Sequence, residues 1–194
     1  MKYRVREKEI IFREFFKIER ARVQWEQFDG SMGEEQTRYV VRRGDSVGII
    51  PVCEKTGLIV LIQQFRYAAA GKDTDGYLWE IPAGMIGKGE KPVSTARREL
   101  LEEIGVETEE LTPLISFFLS PGALDERFYL FMASVQNCAA LDRFGGNRHE
   151  QEDIRIQAFS RKRILKMMKE NQIADGKTIA SLLHYMFFEG EGLK

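Results

Sequence analysis

The sequence predicts an α+β or sandwich architecture rather than a doubly wound sheet. Short β-branched and aromatic runs recur from one end of the chain to the other. One helix stands out in the middle, over Pro92 to Ile104, and two more close the chain. These elements do not alternate as regular strand–helix–strand units, which a parallel sheet would require.

Taken in order, residues 10 to 43 carry IIFREFFKIERARVQWEQF, a turn signal at Asp29-Gly30, and TRYVV before Arg42-Arg43-Gly44. This reads as two or three antiparallel strands. VGIIPVCEKTGLIVLIQQFR contains two β-branched runs around the turn-prone Lys55-Thr56-Gly57, which suits a buried hairpin. A polar loop from Gly71 to Gly76 precedes LWEIPAGMI, a strand entering a glycine-rich loop. In the central helix Pro92 fits the first turn, Val93, Ala96, Leu100 and Ile104 form an apolar stripe, and Gly105 suits the C-terminal end. Strands follow at LTPLISFFLS, RFYLFMASV and DIRIQAFS, and helices at Arg161 to Glu170 and Lys177 to Phe188.

Composition narrows the function classes. The 194 residues hold 29 Lys plus Arg against 30 Asp plus Glu, a net charge of -1, which argues against a strongly basic nucleic-acid binder. With 43% hydrophobic residues the chain can bury a core, so disorder is not expected. No apolar run approaches the roughly 20 residues of a membrane span, and the charged N-terminus does not resemble a signal peptide. A soluble cytoplasmic protein without a membrane partner is the expectation. Cys53 and Cys138 lie far apart with no CxxC pair, so they are expected as separate thiols, neither a disulfide framework nor a thiolate metal site.

The chemistry concentrates in GMIGKGEKPVSTARRELLEEIGV, Gly84 to Val106. On a helix Glu99, Glu102 and Glu103 share a face, about 5–6 Å apart at Cβ, where like charges repel unless a cation lies among them. Oxygen donors without nearby His or Cys select hard ions, Mg²⁺ or Mn²⁺, which commonly bridge to phosphates. A solvated acidic helix face is the plainer alternative for such a triplet taken alone. Gly84 and Gly105 also fit a turn and a helix end. Glu90 either favours the helix N-terminus through the dipole or shapes the loop and reaches metal through water. Arg98 reads as an ion-pair strut for Glu90 or Glu102 rather than a substrate contact.

The same segment resembles the Nudix hydrolase signature at every position: Gly84, five residues, Glu90, seven residues, Arg98-Glu99, an apolar residue, any residue, Glu102-Glu103, any residue, Gly105 and an apolar residue. The resemblance implies the Nudix α/β/α sandwich with a mixed sheet over residues 46–194, preceded by a small antiparallel β-domain over residues 1–45. It also implies that Glu99 and Glu103 ligate metal, helped by the Ala83 carbonyl, with Glu102 a further ligand. Beyond the signature, RVQWEQFDGSM, QQFRYAAA, LWEIPAGMI, LSPGALDER with Pro121, and HEQEDIRI are similar to the ADP-ribose pyrophosphatase branch and its GDP-mannose and nucleotide-sugar relatives. That branch implies a general-base Glu on a glycine-containing loop, for which Glu150 is the choice, with Glu152 chosen as a further metal contact; His149 is either a substitute base or simply exposed, and a solvated loop of mixed charge is the plainer alternative. It implies a phosphate-contacting Arg66; Glu80 reads as its buttress and Arg127 as a second candidate, with surface ion pairs the plainer alternative for each. Trp25 or Phe28 is expected either to stack on the nucleobase or to pack in a core or dimer interface. The N-terminal segment is expected to exchange strands in a homodimer.

The activity implied is hydrolysis of ADP-ribose to AMP and ribose 5-phosphate. A GDP-mannose or other nucleotide-sugar pyrophosphatase is the alternative, encouraged by IADGKTIASL near the C-terminus. A ligand sensor on the same fold, without catalysis, is a more distant one. Such sensors usually lose signature carboxylates or add a DNA-binding module, and this sequence does neither.

Overall fold

The computed structural model describes residues 1–72, 74–108, 110–136, 138, 144–146 and 153–189. The chain divides into two compact units, Met1–Asp45 with Phe118–Arg127, and Ser46–Phe117 with Phe128–Lys194. Among the described residues no helix is long and apolar enough to cross a membrane.

In the first unit β1 (Tyr3–Arg13), β2 (Lys17–Trp25) and β3 (Gln36–Arg42) form an antiparallel sheet in the order β1-β2-β3. The β1–β2 register runs from Tyr3 opposite Trp25 to Arg13 opposite Lys17, with irregularities after Val5 and Ile10. Cross-strand charges suit that register: Arg20 pairs with Glu9, Arg22 with Glu7 at 3.9 Å, and Arg42 with Glu19 at 2.6 Å. Every residue of β1 is exposed, and of the whole three-stranded sheet only Ala21 is fully buried. The 118–127 segment joins this unit through a Val41 N–H bond to the Ala123 carbonyl and through Asp125, which accepts from Arg42 and from the Arg43 N–H.

The second unit is built on a mixed sheet. Its strands are β4 (Ser46–Cys53), β5 (Ile59–Phe65), β6 (Tyr77–Glu80), β7 (Ala83–Met85), β8 (Leu111–Phe118), β9 (Arg127–Val135), β10 (Phe144–Gly145) and β11 (Ile154–Phe159). The order is β10-β11-β5-β4-β9-β8, with β6 paired to β5 and β7 to β4. β4 and β9 are parallel, from Ser46 opposite Phe128 to Cys53 opposite Val135, while β5 and β11 are antiparallel.

Every residue of β4 is buried, so both faces of the sheet are covered where it passes. On one face Val47, Ile49, Val60 and Ile62 form a core with Ala96, Leu100 and Ile104 of α1 (Pro92–Ile104). Helices α2 (Arg161–Lys169) and α3 (Gly176–His184) bury Ile164, Met167 and Leu182 and are followed by one π-helical turn, Tyr185–Glu189. Helix α1 has the bounds that Pro92, the apolar stripe and Gly105 predict. The third helix breaks from α to π at Tyr185 instead of continuing to Phe188.

One expectation is corrected. Cys53 and Cys138 are not separate thiols but a disulfide, with Cα atoms 5.8 Å apart and both residues buried. The parallel register brings Cys53 opposite Val135, so a cysteine three residues further on meets it, although 85 positions separate the two in the chain.

Candidate active site

Helix α1 projects Val93, Ala96, Leu100 and Ile104 into the core, which leaves Arg98, Glu99, Glu102 and Glu103 along its flank. Gly105 closes the helix in the left-handed region at φ 66, where its N–H bonds the Leu101 carbonyl. The preceding loop returns β7 to this flank. Ala83, the first residue of β7, donates its N–H to Glu103 Oε2 at 3.0 Å, and Glu103 is almost wholly buried. The Glu99 carboxylate lies against the Cα of Gly84, so closely that a Cβ at residue 84 would overlap it.

Arg98 organises the rest. Its Nη1 meets Glu99 Oε1 at 2.8 Å and Glu102 Oε2 at 2.9 Å, while Nε and Nη2 reach the two oxygens of Glu90 at 3.3 Å. Nη2 also donates to the Met85 carbonyl at 3.3 Å. Burial disfavours the guanidinium charge, but the hydrogen bond to Glu90, the charge of Glu99 and the hydrogen bond to Glu102 outweigh it and hold Arg98 more basic than usual. Glu90 in turn is lowered to about 2, first by Arg98, then by the Gly87 N–H at 2.9 Å and the Thr95 hydroxyl at 3.0 Å. Glu90 is therefore the clasp of the loop, tying Gly87 to the first turn of α1.

A second charged group lies at the end of β5 and β6. Arg66 donates Nε and Nη2 to the two oxygens of Glu80 at 2.9 and 2.8 Å, the planar two-point geometry that arginine and carboxylate share. Glu80 is only 1% exposed. Desolvation pushes its pKa up, yet the hydrogen bond from Arg66 and the charges of Lys177 and Arg66 prevail and keep it below the ordinary value. The Arg66 side chain is 41% exposed, and Nη1 is not used in the Glu80 pair. Glu103 contributes to the raised basicity of Arg66, after Glu80, which places the two charged groups in one electrostatic neighbourhood.

The structure thus brings Ala83, Gly84, Glu90, Arg98, Glu99, Glu102, Glu103 and Gly105 together around one loop and helix of the second unit, and places Arg66 and Glu80 in the same unit at the end of β5 and β6. Trp25, Phe28 and Arg127 belong to the first unit. There Arg38 lies over the Trp25 ring, 5.0 Å from its centroid, Arg127 lies over Phe118 at 5.7 Å, and Phe28 is 98% exposed. His149, Glu150 and Glu152 lie outside the described residues. Three participants escaped the sequence reading: Thr95, Asp175 and Lys177. Lys177 donates to Glu80 Oε2 at 2.6 Å across 97 positions, and the only signal for it was the IADGKTIASL stretch.

The donor set fits a hard divalent cation in kind, being carboxylate and carbonyl oxygen only. Among the described residues, however, no three His, Cys, Asp or Glu side chains converge as a ready cage. The geometry explains why: Arg98 sits as the cation between Glu99 and Glu102, and Glu103 is engaged by the Ala83 N–H.

Residues 42–182 match the family model described as NUDIX domain. The ADP-ribose pyrophosphatase of Escherichia coli (strain K12) is 31% identical over 188 residues, covering 95% of this chain and 90% of the relative. The GDP-mannose pyrophosphatase of Escherichia coli O1:K1 / APEC is 34% identical over 150 residues, covering 77% and 76%. Among solved structures, one titled as an ADP compounds hydrolase superposes with a TM-score of 0.72 over 99% of this chain and 97% of that one, at 17% identity, a likeness of fold. With the signature complete in sequence, its loop and helix clasped together in space, and most of the chain matched, this protein belongs to the Nudix family.

Proposed function

We propose that the chain is a divalent-metal-dependent pyrophosphohydrolase that cleaves ADP-ribose to AMP and ribose 5-phosphate. The observation that carries this reading is the buried pair Glu99 and Glu103 on one flank of α1, in the same unit as Arg66, whose Nη1 is not spent on Glu80. Acidic oxygens for a cation and an arginine for phosphate are what a nucleoside diphosphate requires. The similarity to ADP-ribose pyrophosphatases over nearly the full chain supports the choice of substrate.

Glu99, Glu102 and Glu103, with the Ala83 carbonyl, would hold Mg²⁺ or Mn²⁺. Bound there, a divalent cation supplies charge neutralisation at the diphosphate and acidifies a coordinated water. Arg98 holds Glu99 and Glu102 in place through its ion pairs with them, and Glu90 keeps the loop against the helix. Arg66 binds diphosphate oxygens and orients the scissile bond. Glu150 takes the proton from the attacking water, with Glu152 a further metal contact; one P–O bond to the bridging oxygen breaks as the new one to water oxygen forms. Of the two aromatics, Phe28 is the one with a ring open to stack on adenine, since Arg38 already covers Trp25. Residues 1–45 would serve dimerisation and residues 46–194 catalysis.

A GDP-mannose or related nucleotide-sugar pyrophosphatase is the second reading, favoured by the similarity to such an enzyme over 77% of the chain. Specificity constants for ADP-ribose, GDP-mannose, ADP-glucose, NADH and diadenosine polyphosphates, measured with Mg²⁺ and after chelation, test both. ADP-ribose is expected to lead by at least tenfold, and activity that survives chelation would remove the metal-dependent reading.

A further inference from the structure

We infer that Lys177 is a positioning residue for the phosphate-binding arginine, acting on Arg66 through Glu80. The inference rests on the reading of Arg66 as a diphosphate contact and adds α3 to the machinery.

The Glu80 carboxylate is buried and shared. Arg66 takes both of its oxygens, and Lys177 Nζ takes Oε2 at 2.6 Å. The ammonium is fixed from its other side by Asp175 Oδ2 at 2.9 Å, and Asp175 also caps α3 by accepting from the Thr178 N–H at 2.9 Å and hydroxyl at 2.6 Å. Thr178 Oγ1 then accepts the N–H of Ile81 at 3.1 Å. Asp175, Lys177 and Thr178 therefore grip the Glu80–Ile81 segment by side chain and by backbone, two residues before Ala83.

This arrangement makes Lys177 a brace rather than a ligand. Its side chain is 17% exposed and held between two carboxylates, whereas Arg66 is 41% exposed. Once Arg66 shares its charge with a diphosphate, its hold on Glu80 weakens. A buried carboxylate losing its only counter-ion is strongly disfavoured, so without Lys177 either Glu80 would keep Arg66 to itself or it would take up a proton and lose its grip on the guanidinium. With Lys177 in place, Glu80 stays ionised and Arg66 is free to bind without leaving its plane. The cost of losing the brace should fall on binding, not on the chemical step.

The test is a steady-state and folding study of the full chain with ADP-ribose and saturating Mg²⁺. Lys177→Met is expected to raise KM roughly tenfold while kcat stays within about threefold, and Lys177→Arg to restore most of the affinity. In an Arg66→Lys background the Lys177→Met change should add less than about threefold to KM, because the residue acts through Arg66. An unchanged KM in Lys177→Met, or the same increment in both backgrounds, overturns the inference. If Lys177→Met does not fold, the comparison moves to Glu80→Gln with and without Lys177→Met. Equal KM values there support the inference, and a further rise of more than about threefold on adding Lys177→Met overturns it. Failure of the underlying reading looks different: an Arg66→Ala protein, folded by circular dichroism, with wild-type KM.

Discussion

The carboxylate of Glu99 occupies the space in which a side chain on residue 84 would begin. The first glycine of the signature is thus required by a close approach rather than by its dihedral angles. Gly84→Ala is expected to displace Glu99, to lower turnover by at least tenfold, and to destabilise the fold by about 1–3 kcal/mol, the usual range for overpacking. Rates at several Mg²⁺ concentrations and thermal melts measure both effects; wild-type activity would show that Glu99 can be moved without consequence.

The Glu90 clasp has a pH signature. Its carboxyl is lowered to about 2 in the fold against an ordinary value of 4.5. A depressed folded pKa means that the contribution to stability is complete above about 4.5 and drains away as pH falls towards 2. Wild type and Glu90→Gln should therefore differ in Tm at pH 6, with the wild type higher, and converge by about pH 2. A difference constant over that window would mean that the carboxylate charge is not what holds the loop.

Local signals account for what could be foreseen. Pro92, the stripe of Val93, Ala96, Leu100 and Ile104, and Gly105 all act within their own helix, so the bounds of α1 were legible. The parallel pairing of β4 with β9 was not, because the fully buried β4 carries no face-to-face alternation to mark its neighbours. The disulfide was hidden for the same reason, since only that register brings Cys138 near Cys53. At the site, the carboxylates were readable as a helical face, but their partners were not. Thr95 looks like any helix residue, and Lys177 meets Glu80 only through the docking of a helix that starts 96 residues later.

The Cys53–Cys138 disulfide closes a loop with a sequence separation of 85 residues. On the chain-entropy account such a cross-link is worth about 4.5 kcal/mol. Melts with and without reductant should differ by several degrees, and Cys138→Ser should melt like the reduced protein. Mass spectrometry of unreduced peptides checks the bond itself, and two alkylatable thiols in the denatured, unreduced protein would contradict it.

Phe12 and Phe16 lie 5.7 Å apart at the end of the β1–β2 hairpin, with Phe15 beside them, 89% exposed. An exposed aromatic cluster on an edge hairpin is a natural place for the proposed homodimer to form. Replacing Phe12 and Phe15 by Ser removes little that the isolated chain buries, so Tm should barely fall at low concentration while sedimentation shifts towards monomer. A wild-type protein that sediments as a monomer at micromolar concentration would end the dimer proposal.

The proposed division between metal and proton can be separated by two amide substitutions. Glu103 is buried, its Oε2 accepts the Ala83 N–H, and its neighbours on the flank are Glu99 and Glu102; it is the carboxylate proposed to hold the cation through its remaining oxygen. An amide keeps one oxygen but loses the charge, and its NH₂ cannot accept the Ala83 N–H if turned towards it. Glu103→Gln should therefore weaken Mg²⁺ binding by calorimetry and lower turnover together, with partial recovery at high Mg²⁺. Glu150→Gln should leave Mg²⁺ and ADP-ribose affinity near wild type and lower kcat by about 10² to 10⁴, the range for a general base. Loss of the alkaline plateau in the kcat profile would accompany it, because no group remains to take the proton. Near-normal kcat in Glu150→Gln together with collapse in Glu152→Gln would move the base two residues along while leaving the role of Glu103 intact. Metal affinity unchanged in Glu103→Gln would instead transfer the cation to Glu99 and Glu102, with Arg98 displaced from between them.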